Sequence, residues 1–276
     1  MFTLNCRGRL LTLDEPVVMG ILNVTPDSFY EGSRVEAEEA LLQTAAEMIA
    51  EGATILDVGG QSTRPGAGLL TAAEEASRVI PALQLLRNHF PDVFLSADTF
   101  YSEVARKAAD AGTDLINDIS AGAADEQMIS TVVQLQMPYI AMHMKGMPQT
   151  MQELAVYGSV TEEVIQYFNH KLSRYAEAGL YDIIIDPGFG FAKTATHNFR
   201  MLKELELFQV LGRPLLAGLS RKSTIYKTLG TTAAEALNGT TVLNTIALEK
   251  GAKILRVHDV KEAREAIQLL TALRKA

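Results

Sequence analysis

The chain has 276 residues, of which 47% are hydrophobic and 21% are charged, a balance typical of a globular protein with a sizeable core. Its 25 Lys and Arg residues against 33 Asp and Glu residues give a net charge of −8, which disfavours a broad nucleic-acid-binding surface but permits a local basic pocket. The single cysteine, Cys6, excludes an intrachain disulfide, and no apolar run reaches the roughly 18 residues of a membrane helix, so we expect a soluble, cytoplasmic protein.

Short apolar runs alternate with stretches of helical periodicity along the chain. Residues 2–13 alternate polar and apolar positions and predict a small β-hairpin. Apolar residues such as Leu41, Ala45 and Met48 then recur at the spacing of one helix face. The runs rich in Val, Ile and Leu predict eight strands, at 17–25, 54–60, 93–99, 114–120, 138–144, 182–188, 214–220 and 253–259.

Four predicted helices end in the same way, with a glycine directly before the next apolar run. A C-capping residue takes a left-handed backbone, which glycine adopts most readily. The glycines are Gly52, Gly112, Gly179 and Gly251. Eight β-α units in one uninterrupted series predict an α/β protein with a (β/α)₈ TIM barrel as a single domain over residues 1–276, its bottom covered by the hairpin. An open doubly wound sheet is the alternative, which the lack of a dinucleotide G-x-G-x-x-G after the first strand disfavours.

The predicted strands carry polar residues toward their C-terminal ends. In a parallel barrel these ends share one rim, where barrel active sites are built. Strand ends are often polar because loops begin there, but ionisable and amide side chains dominate this set, which favours a functional site. Its members are Asn23, Asp57, Asp98, Asn117, His143, Asp186, Ser220 with Lys222, and Arg256 with His258.

Three of these residues predict a pocket for a flat heterocycle. Asp98, Asn117 and Asp186 follow different strands and would converge across the barrel mouth. A carboxylate accepts two adjacent N–H groups, and an amide both donates and accepts, which suits a guanine-like ring edge. The structural alternative is that Asp98 or Asp186 pairs with Lys222.

A second group predicts an anion site. Arg256 and His258 end the eighth strand, and Arg64 lies in the loop after the second, while the loops after strands seven and eight commonly bind phosphate in this fold. Asn23 could help to hold Mg²⁺, which needs few protein ligands when phosphate supplies the rest. The alternative for Arg256 is an ordinary ion pair.

Two long loops, at 23–33 and 59–68, are rich in Gly, Pro, Ser and Thr and carry Phe29 and Arg64. We expect them to act as lids that exclude water from a reactive intermediate; the alternative is that they are plain surface loops.

Seven motifs, in this order and spacing, resemble the dihydropteroate synthase family of pterin-binding enzymes over essentially the entire chain. They are NVTPDSF, DVGGQSTRPGA, INDISA, MHMKGMPQTMQ, DPGFGFAKT, LAGLSRKS and RVHDV. The sequence departs from the family pattern at Glu31, where Asp is usual, at Gln61, where Glu is usual, at Ala97, where a β-branched residue is usual, and at Thr224, where a bulkier residue is common.

The resemblance implies a homodimeric barrel that condenses 6-hydroxymethyl-7,8-dihydropterin diphosphate with 4-aminobenzoate, releasing pyrophosphate, with Mg²⁺ as cofactor. It implies a pterin site of Asp57, Asp98, Asn117, Met142, Asp186 and Lys222. It implies a pyrophosphate site of Asn23, through Mg²⁺, with Arg64, Arg256 and His258, and these four with Lys222 form the expected catalytic set. It implies an aminobenzoate site of Phe29, Thr63, Pro65, Phe191 and Ser220, with Lys222 on the shared wall, where sulfonamides compete.

For the chemistry we favour a dissociative, SN1-like path, because an electron-rich dihydropterin can spread the positive charge on its methylene carbon. No protein nucleophile is then needed, which agrees with the lack of a Ser/His/Asp or Cys/His arrangement. Two alternatives remain open. One is a pterin-binding methyltransferase, which has no pyrophosphate to hold; the other is a non-catalytic pterin-binding paralogue.

Overall fold

The computed structural model describes residues 2–24, 34–61, 68–146, 150–151 and 153–276. The site predictions at Phe29, Thr63, Arg64 and Pro65, and the departure at Glu31, lie outside these residues.

Eight parallel strands close into a barrel in chain order, and a two-stranded antiparallel hairpin precedes them. The hairpin pairs β1 (Thr3–Cys6) with β2 (Arg9–Thr12). The barrel strands are β3 (Val17–Asn23), β4 (Ala53–Gly59), β5 (Phe94–Asp98), β6 (Leu115–Asp118), β7 (Tyr139–Met142), β8 (Ile183–Asp186), β9 (Leu215–Ala217) and β10 (Ala252–Val257). Each of the eight predicted runs overlaps one of these strands, and the strands close into a barrel, so the predicted fold class is confirmed.

Helices surround the barrel and connect successive strands. They are α1 (Arg34–Ala50), α2 (Ala72–His89), α3 (Ser102–Asp110), α4 (Met128–Leu135), α5 (Val160–Glu177), α6 (Ala195–Lys203), α7 (Ser223–Leu229), α8 (Leu237–Glu249) and α9 (Val260–Lys275). A 3-10 helix at Leu205–Leu211 follows α6. The four predicted capping glycines all have positive φ, between 86° and 106°. Within the described ranges, no helix is long and apolar enough to cross a membrane.

The hairpin closes the bottom of the barrel with hydrocarbon. Leu4, Cys6, Leu11 and Leu13 form one buried cluster with the first inward-facing residues of the barrel strands. Those strand residues are Met19, Ile55, Leu115, Ile140, Ile184, Leu216 and Ile254. Because side chains two positions apart share a face of a strand, the next inward layer starts directly above this apolar plug.

The outward faces of the strands pack against the helices in a second, larger core. Leu56 and Val58 of β4 belong to it, together with Val79, Leu83 and Leu86 of α2. This core makes the strands rigid along their length, so the side chains at their C-terminal ends are held on a fixed support.

Candidate active site at the barrel mouth

A buried layer of mostly polar side chains lies one pleat above the apolar plug. Each member stands two residues after a strand residue of the plug or, for Ser96, after Phe94, which packs against the plug. All of them therefore point into the barrel. Charged groups placed in such a layer are stable only when they are paired or hydrogen-bonded. The layer consists of Ile21, Asp57, Ser96, Asn117, Met142, Asp186, Gly218 and Arg256.

Arg256 binds two carboxylates from neighbouring strands. Its Nε lies 2.6 Å from Asp57 Oδ2, and its Nη2 lies 2.6 Å from Asp98 Oδ2. The amide of Asn117 donates to the same Asp57 oxygen over 3.0 Å. Asp98 therefore pairs with Arg256, and the sequence-based alternative that Asp98 pairs with Lys222 is wrong. The alternative for Arg256, an ion pair, is found in the structure, and this ion pair lies at the centre of the predicted site.

The electrostatics of this group follow from burial. Burial lowers the pKa of Arg256, but the carboxylates of Asp57 and Asp98 outweigh that effect and leave it raised. Burial raises the pKa of Asp98, the Arg256 guanidinium opposes the shift, and Asp57 adds to it. In the described part of the chain, Asp57 Oδ1 and Ser96 Oγ are buried without a hydrogen-bond partner, so acceptor capacity remains at the pocket floor.

Asp186 and Lys222 form the opposite wall. Asp186 Oδ1 accepts a hydrogen bond of 2.8 Å from the Gly188 N–H, and burial raises its pKa while Lys222 opposes the shift. Lys222 Nζ donates to the Phe189 carbonyl. Burial lowers the pKa of Lys222 to about 8, although Asp186 acts in the other direction.

The small residue between them keeps this wall open. A Cβ added at Gly218 would stand 3.9 Å from Lys222 Nζ and 4.0 Å from Asp186 Oδ2. Because Gly218 has no side chain, a ligand can reach both charged groups from the barrel lumen.

An apolar cluster covers the polar layer on one side. Phe100, Ile119 and Met142 are buried together, and Phe191 packs against them. The Lys222 ammonium lies 4.7 Å from the centre of the Phe191 ring, within the range of a cation–π contact. A flat ring could therefore lie against hydrocarbon while its edge meets carboxylates and an amide.

The rim of the barrel brings together three further predicted residues. Ser220 Oγ lies 3.0 Å from His258 Nδ1 and accepts a 3.2 Å hydrogen bond from the His258 backbone N–H. Asn23 is exposed at the end of β3, in register with Gly59. Among the described residues no group of three or more His, Cys, Asp or Glu side chains could hold a metal ion. An exposed amide oxygen fits a Mg²⁺ ion that arrives with a phosphate ligand, and does not fit a permanent cage.

The structure therefore assembles most of the predicted set at one end of the barrel. The predicted residues found there are Asn23, Asp57, Asp98, Asn117, Met142, Asp186, Phe191, Ser220, Lys222, Arg256 and His258. The positions of Phe29, Thr63, Arg64 and Pro65 stay predictions, as do the binding and catalytic roles of every residue in the set.

Sequence reasoning missed Ser96, because a lone serine inside an apolar run gives no signal of its own. It also missed Lys193, which is almost fully buried and hydrogen-bonded to His143. The signal for Lys193 was present: it stands inside the motif DPGFGFAKT, where a lysine directly follows a glycine-rich loop.

The departures from the family pattern have local explanations. Gln61 Oε1 accepts a 3.2 Å hydrogen bond from the Leu70 N–H, so this amide ties together the two ends of the segment between them. Thr224 is buried and its hydroxyl accepts a 3.0 Å hydrogen bond from Asn198. Ala97 is buried in the outer core, away from the polar layer.

Comparison with known proteins identifies close relatives of the entire chain. A family model described as pterin binding enzyme matches residues 19–258. The dihydropteroate synthase of Escherichia coli K12 is 42% identical over 268 residues, which cover 96% of this chain and 94% of that protein. The Haemophilus influenzae dihydropteroate synthase is 40% identical and covers 99% of both chains.

Solved structures agree with this result. The Xanthomonas albilineans dihydropteroate synthase with 4-aminobenzoic acid matches with a TM-score of 0.92 at 38% identity, over 99% of this chain and 98% of that one. The Yersinia pestis dihydropteroate synthase in a sulfonamide drug complex also gives a TM-score of 0.92, at 39% identity and full coverage of both chains.

Proposed function

This chain belongs to the dihydropteroate synthase family of pterin-binding enzymes, and we propose that the side chains at its barrel mouth divide the family's reaction among three adjoining sites. The reaction condenses 6-hydroxymethyl-7,8-dihydropterin diphosphate with 4-aminobenzoate and gives 7,8-dihydropteroate and pyrophosphate. The observation that supports this division is the buried layer in which Asp57, Asn117 and Asp186 stand close to the cations Arg256 and Lys222.

The pterin ring lies in the buried layer. Its amino group and ring N–H donate to the carboxylate of Asp186, and the Asn117 amide both donates and accepts beside them. Met142 packs against the face of the ring, while Asp57 and Asp98 supply further acceptors. These contacts satisfy polar groups that would otherwise be buried without partners, which is why pterin binding is favourable.

The diphosphate lies above the pterin ring, on the rim. Asn23, Arg64, Arg256 and His258 bind or face it. The Asn23 amide oxygen is the group that would hold a Mg²⁺ ion arriving with the diphosphate, and such an ion would supply positive charge against the leaving pyrophosphate. Arg256 and His258 add N–H donors aimed at the same charge, and such fixed donors are worth most in a site that excludes water.

The bond to pyrophosphate breaks before the new C–N bond is complete. The dihydropterin ring spreads the positive charge of its methylene carbon, and the cluster of Asp57, Asp98 and Asp186 makes the pocket favourable for that cation. The aminobenzoate amine then adds to the carbon and loses its proton. Lys222, Ser220 and Phe191 hold the aminobenzoate, together with Phe29, Thr63 and Pro65, and sulfonamides compete for the same place.

We also propose a homodimer that works in the cytoplasm. Large apolar side chains are exposed on α8 and α9, which pack against each other, and a second copy of the chain would cover them. The single cysteine, Cys6, is buried and unpaired, as expected for a protein in a reducing compartment.

The decisive assay mixes the protein with pterin diphosphate, 4-aminobenzoate and Mg²⁺, and follows both pyrophosphate and dihydropteroate. We expect the two products in equal amounts, and only when both substrates are present. Pterin binding without any product would support the non-catalytic paralogue. Release of pyrophosphate that does not depend on aminobenzoate would contradict the condensation.

The Asp186→Asn variant tests the pocket assignment. The amide keeps the size of the side chain but places an N–H group against the N–H groups of the pterin, so we expect pterin affinity to fall by roughly 100-fold. Titration calorimetry with the free pterin measures this loss. Asp182→Asn is the matched control and should bind pterin normally. Asp182 stands directly before the same strand, at the bottom of the barrel, where its carboxylate accepts a hydrogen bond from the Asn5 N–H over 2.9 Å. Unchanged affinity of Asp186→Asn would show that the pterin lies elsewhere.

A further inference from the structure

Lys193 is a buried cation beside the pocket that the proposed mechanism does not use. Its side chain is 3% exposed. Its Nζ lies 3.0 Å from His143 Nδ1, 3.0 Å from the Gly188 carbonyl oxygen and 3.1 Å from the Phe191 carbonyl oxygen. An ammonium group has three N–H donors, so each of them has an acceptor.

The protonation state of His143 agrees with this arrangement. Burial and the neighbouring Lys193 lower the pKa of His143 to about 2, so the imidazole is neutral and its Nδ1 accepts. Burial lowers the pKa of Lys193 to about 7, although Asp186 opposes the shift. If the ammonium were removed, the Gly188 carbonyl oxygen would keep only the 3.2 Å hydrogen bond from the Phe191 N–H. The part-buried Phe191 carbonyl oxygen would lose its Lys193 partner, and loss of a partner for such acceptors is costly.

These carbonyls belong to a tightly turned loop, residues 187–192, which follows β8. Gly188, Gly190 and Ala192 all have left-handed backbone conformations, with φ of 75°, 84° and 48°. The alternation turns the Gly188 and Phe191 carbonyls toward one point, which Lys193 occupies. The loop is therefore held from inside by the Lys193 side chain.

The opposite side of the loop is held by an amide. The Gly190 N–H donates to Asn198 Oδ1 over 2.8 Å, and the Asn198 side chain donates to Thr224 Oγ1 over 3.0 Å. Asn198 and Lys193 thus fix the loop from two directions.

Loop 187–192 forms the side of the pocket where we place 4-aminobenzoate. The Phe189 carbonyl accepts the hydrogen bond of Lys222, and the Phe191 ring stands 4.7 Å from the same ammonium. A change in the loop would therefore move Lys222 and the Phe191 ring together. Most of the pterin pocket does not depend on the loop, since Asp57, Asp98 and Arg256 are held by one another. Asp186 is the pterin acceptor that the loop does contact, through the Gly188 N–H.

We propose that Lys193 is a positioning residue for the second substrate: it fixes loop 187–192 so that the Phe191 ring and Lys222 stand where 4-aminobenzoate binds. This inference rests on the proposed condensation and adds a residue to it. Lys193 does not touch the substrates; it acts through the two carbonyls that it binds.

The test compares Lys193→Met with wild type in steady-state kinetics, varying one substrate at a time. Methionine fills most of the lysine volume and removes the ammonium. Loss of a hydrogen bond to a charged group changes an equilibrium constant by roughly a factor of ten or more. We therefore expect the KM for 4-aminobenzoate to rise at least tenfold. The KM for the pterin diphosphate should rise by a clearly smaller factor, because Asp57, Asp98 and Asn117 do not contact the loop and Asp186 contacts it only through the Gly188 N–H.

Lys171→Met is the matched control. The Lys171 ammonium also holds a backbone carbonyl, that of Ala121, over 2.8 Å, and Ala121 also has a left-handed backbone with φ 51°. This carbonyl lies in the loop after β6, away from loop 187–192. The same substitution there should leave the KM for 4-aminobenzoate unchanged.

The outcomes separate this inference from the proposed function. Wild type without condensation activity would overturn the function. An active wild type whose Lys193→Met variant shows unchanged KM values, or an equal rise for both substrates, would overturn the positioning role alone. If Lys193→Met does not fold, Lys193→Gln retains N–H donors and should show an intermediate rise in the aminobenzoate KM. Failure of both variants to fold would make Lys193 a stability residue and likewise overturn the positioning role.

Discussion

At the scale of single residues, the charge balance of the pocket depends on Arg256. Its guanidinium lies 2.6 Å from both Asp57 and Asp98, and Asp57 is completely buried. Bringing charges out of water is expensive, so the gain from pairing is mostly offset by desolvation. Removal of Arg256 alone is different, because Asp57 and Asp98 stay removed from water and lose the positive charge that compensated for it.

The Arg256→Met variant should therefore unfold more easily, and more so at high pH. Loss of one member of a buried ion pair costs roughly 3–5 kcal/mol, which we expect at pH 8. Burial already raises the pKa of Asp98, and loss of Arg256 raises it further. An acid whose folded-state pKa is raised binds more protons folded than unfolded above about pH 4, so stability falls as pH increases through that window.

Urea denaturation of wild type and variant at pH 5 and pH 8 measures the free energy of unfolding directly. The deficit of Arg256→Met should be clearly smaller at pH 5. Arg106→Met is the control, because Arg106 is exposed on α3 and bonds Gln134 over 3.1 Å; it should change little at either pH. A deficit that is the same at both pH values would mean that the carboxylates are not the source of the instability.

At the scale of elements, the strand pleat explains which parts of the site could be predicted. Residues two apart share a face, so the apolar Ile55 and Ile254 place Asp57 and Arg256 inside the barrel. The polar residues in the predicted strands followed from this pattern, as did their location at one end. The hairpin and the capping glycines also followed from local sequence signals.

The contacts between elements could not be predicted in the same way. The pairing of Arg256 with Asp57 and Asp98 spans β10, β4 and β5, and it depends on the stagger of strands around the closed barrel. No local pattern fixes that stagger. The Lys193 contacts could not be predicted either, because they depend on the path of loop 187–192, in which three of the six residues have a left-handed backbone.

The Gly188→Ala variant tests how tightly that loop is packed. Gly188 has φ 75°, and an added Cβ would stand 2.1 Å from the His143 carbonyl oxygen. Gly212 has φ 62° but nothing within 4 Å of an added Cβ, so Gly212→Ala isolates the backbone penalty of roughly 1–2 kcal/mol. We expect Gly188→Ala to lose at least about 2 kcal/mol more than Gly212→Ala in urea denaturation. Equal losses would show that the loop can move away from β7 at little cost.

At the scale of the whole molecule, the barrel mouth concentrates charge of both signs. The chain carries −8, and both substrates of the proposed reaction are anions. Arg256 and Lys222 supply positive charge at the mouth of a protein whose overall charge repels anions, and Asp57, Asp98 and Asp186 stand beside them. The opposite end is closed by the hairpin and its apolar plug, so the barrel has its polar opening at one end.

The exposed apolar face on α8 and α9 leads to the last prediction. Val242 and Ile246 lie one turn apart on α8 and are 49% and 37% exposed, and Leu269 and Leu273 on α9 are 74% and 70% exposed. If a second copy covers them, light scattering should give wild type twice the chain mass of 30.0 kDa. Val242→Lys would bury a charge in that interface, which is costly, and should shift the mass to 30.0 kDa. Val35→Lys, which alters a still more exposed valine on α1, should leave the dimer intact. A monomeric wild type at micromolar concentration would contradict this assignment of the face.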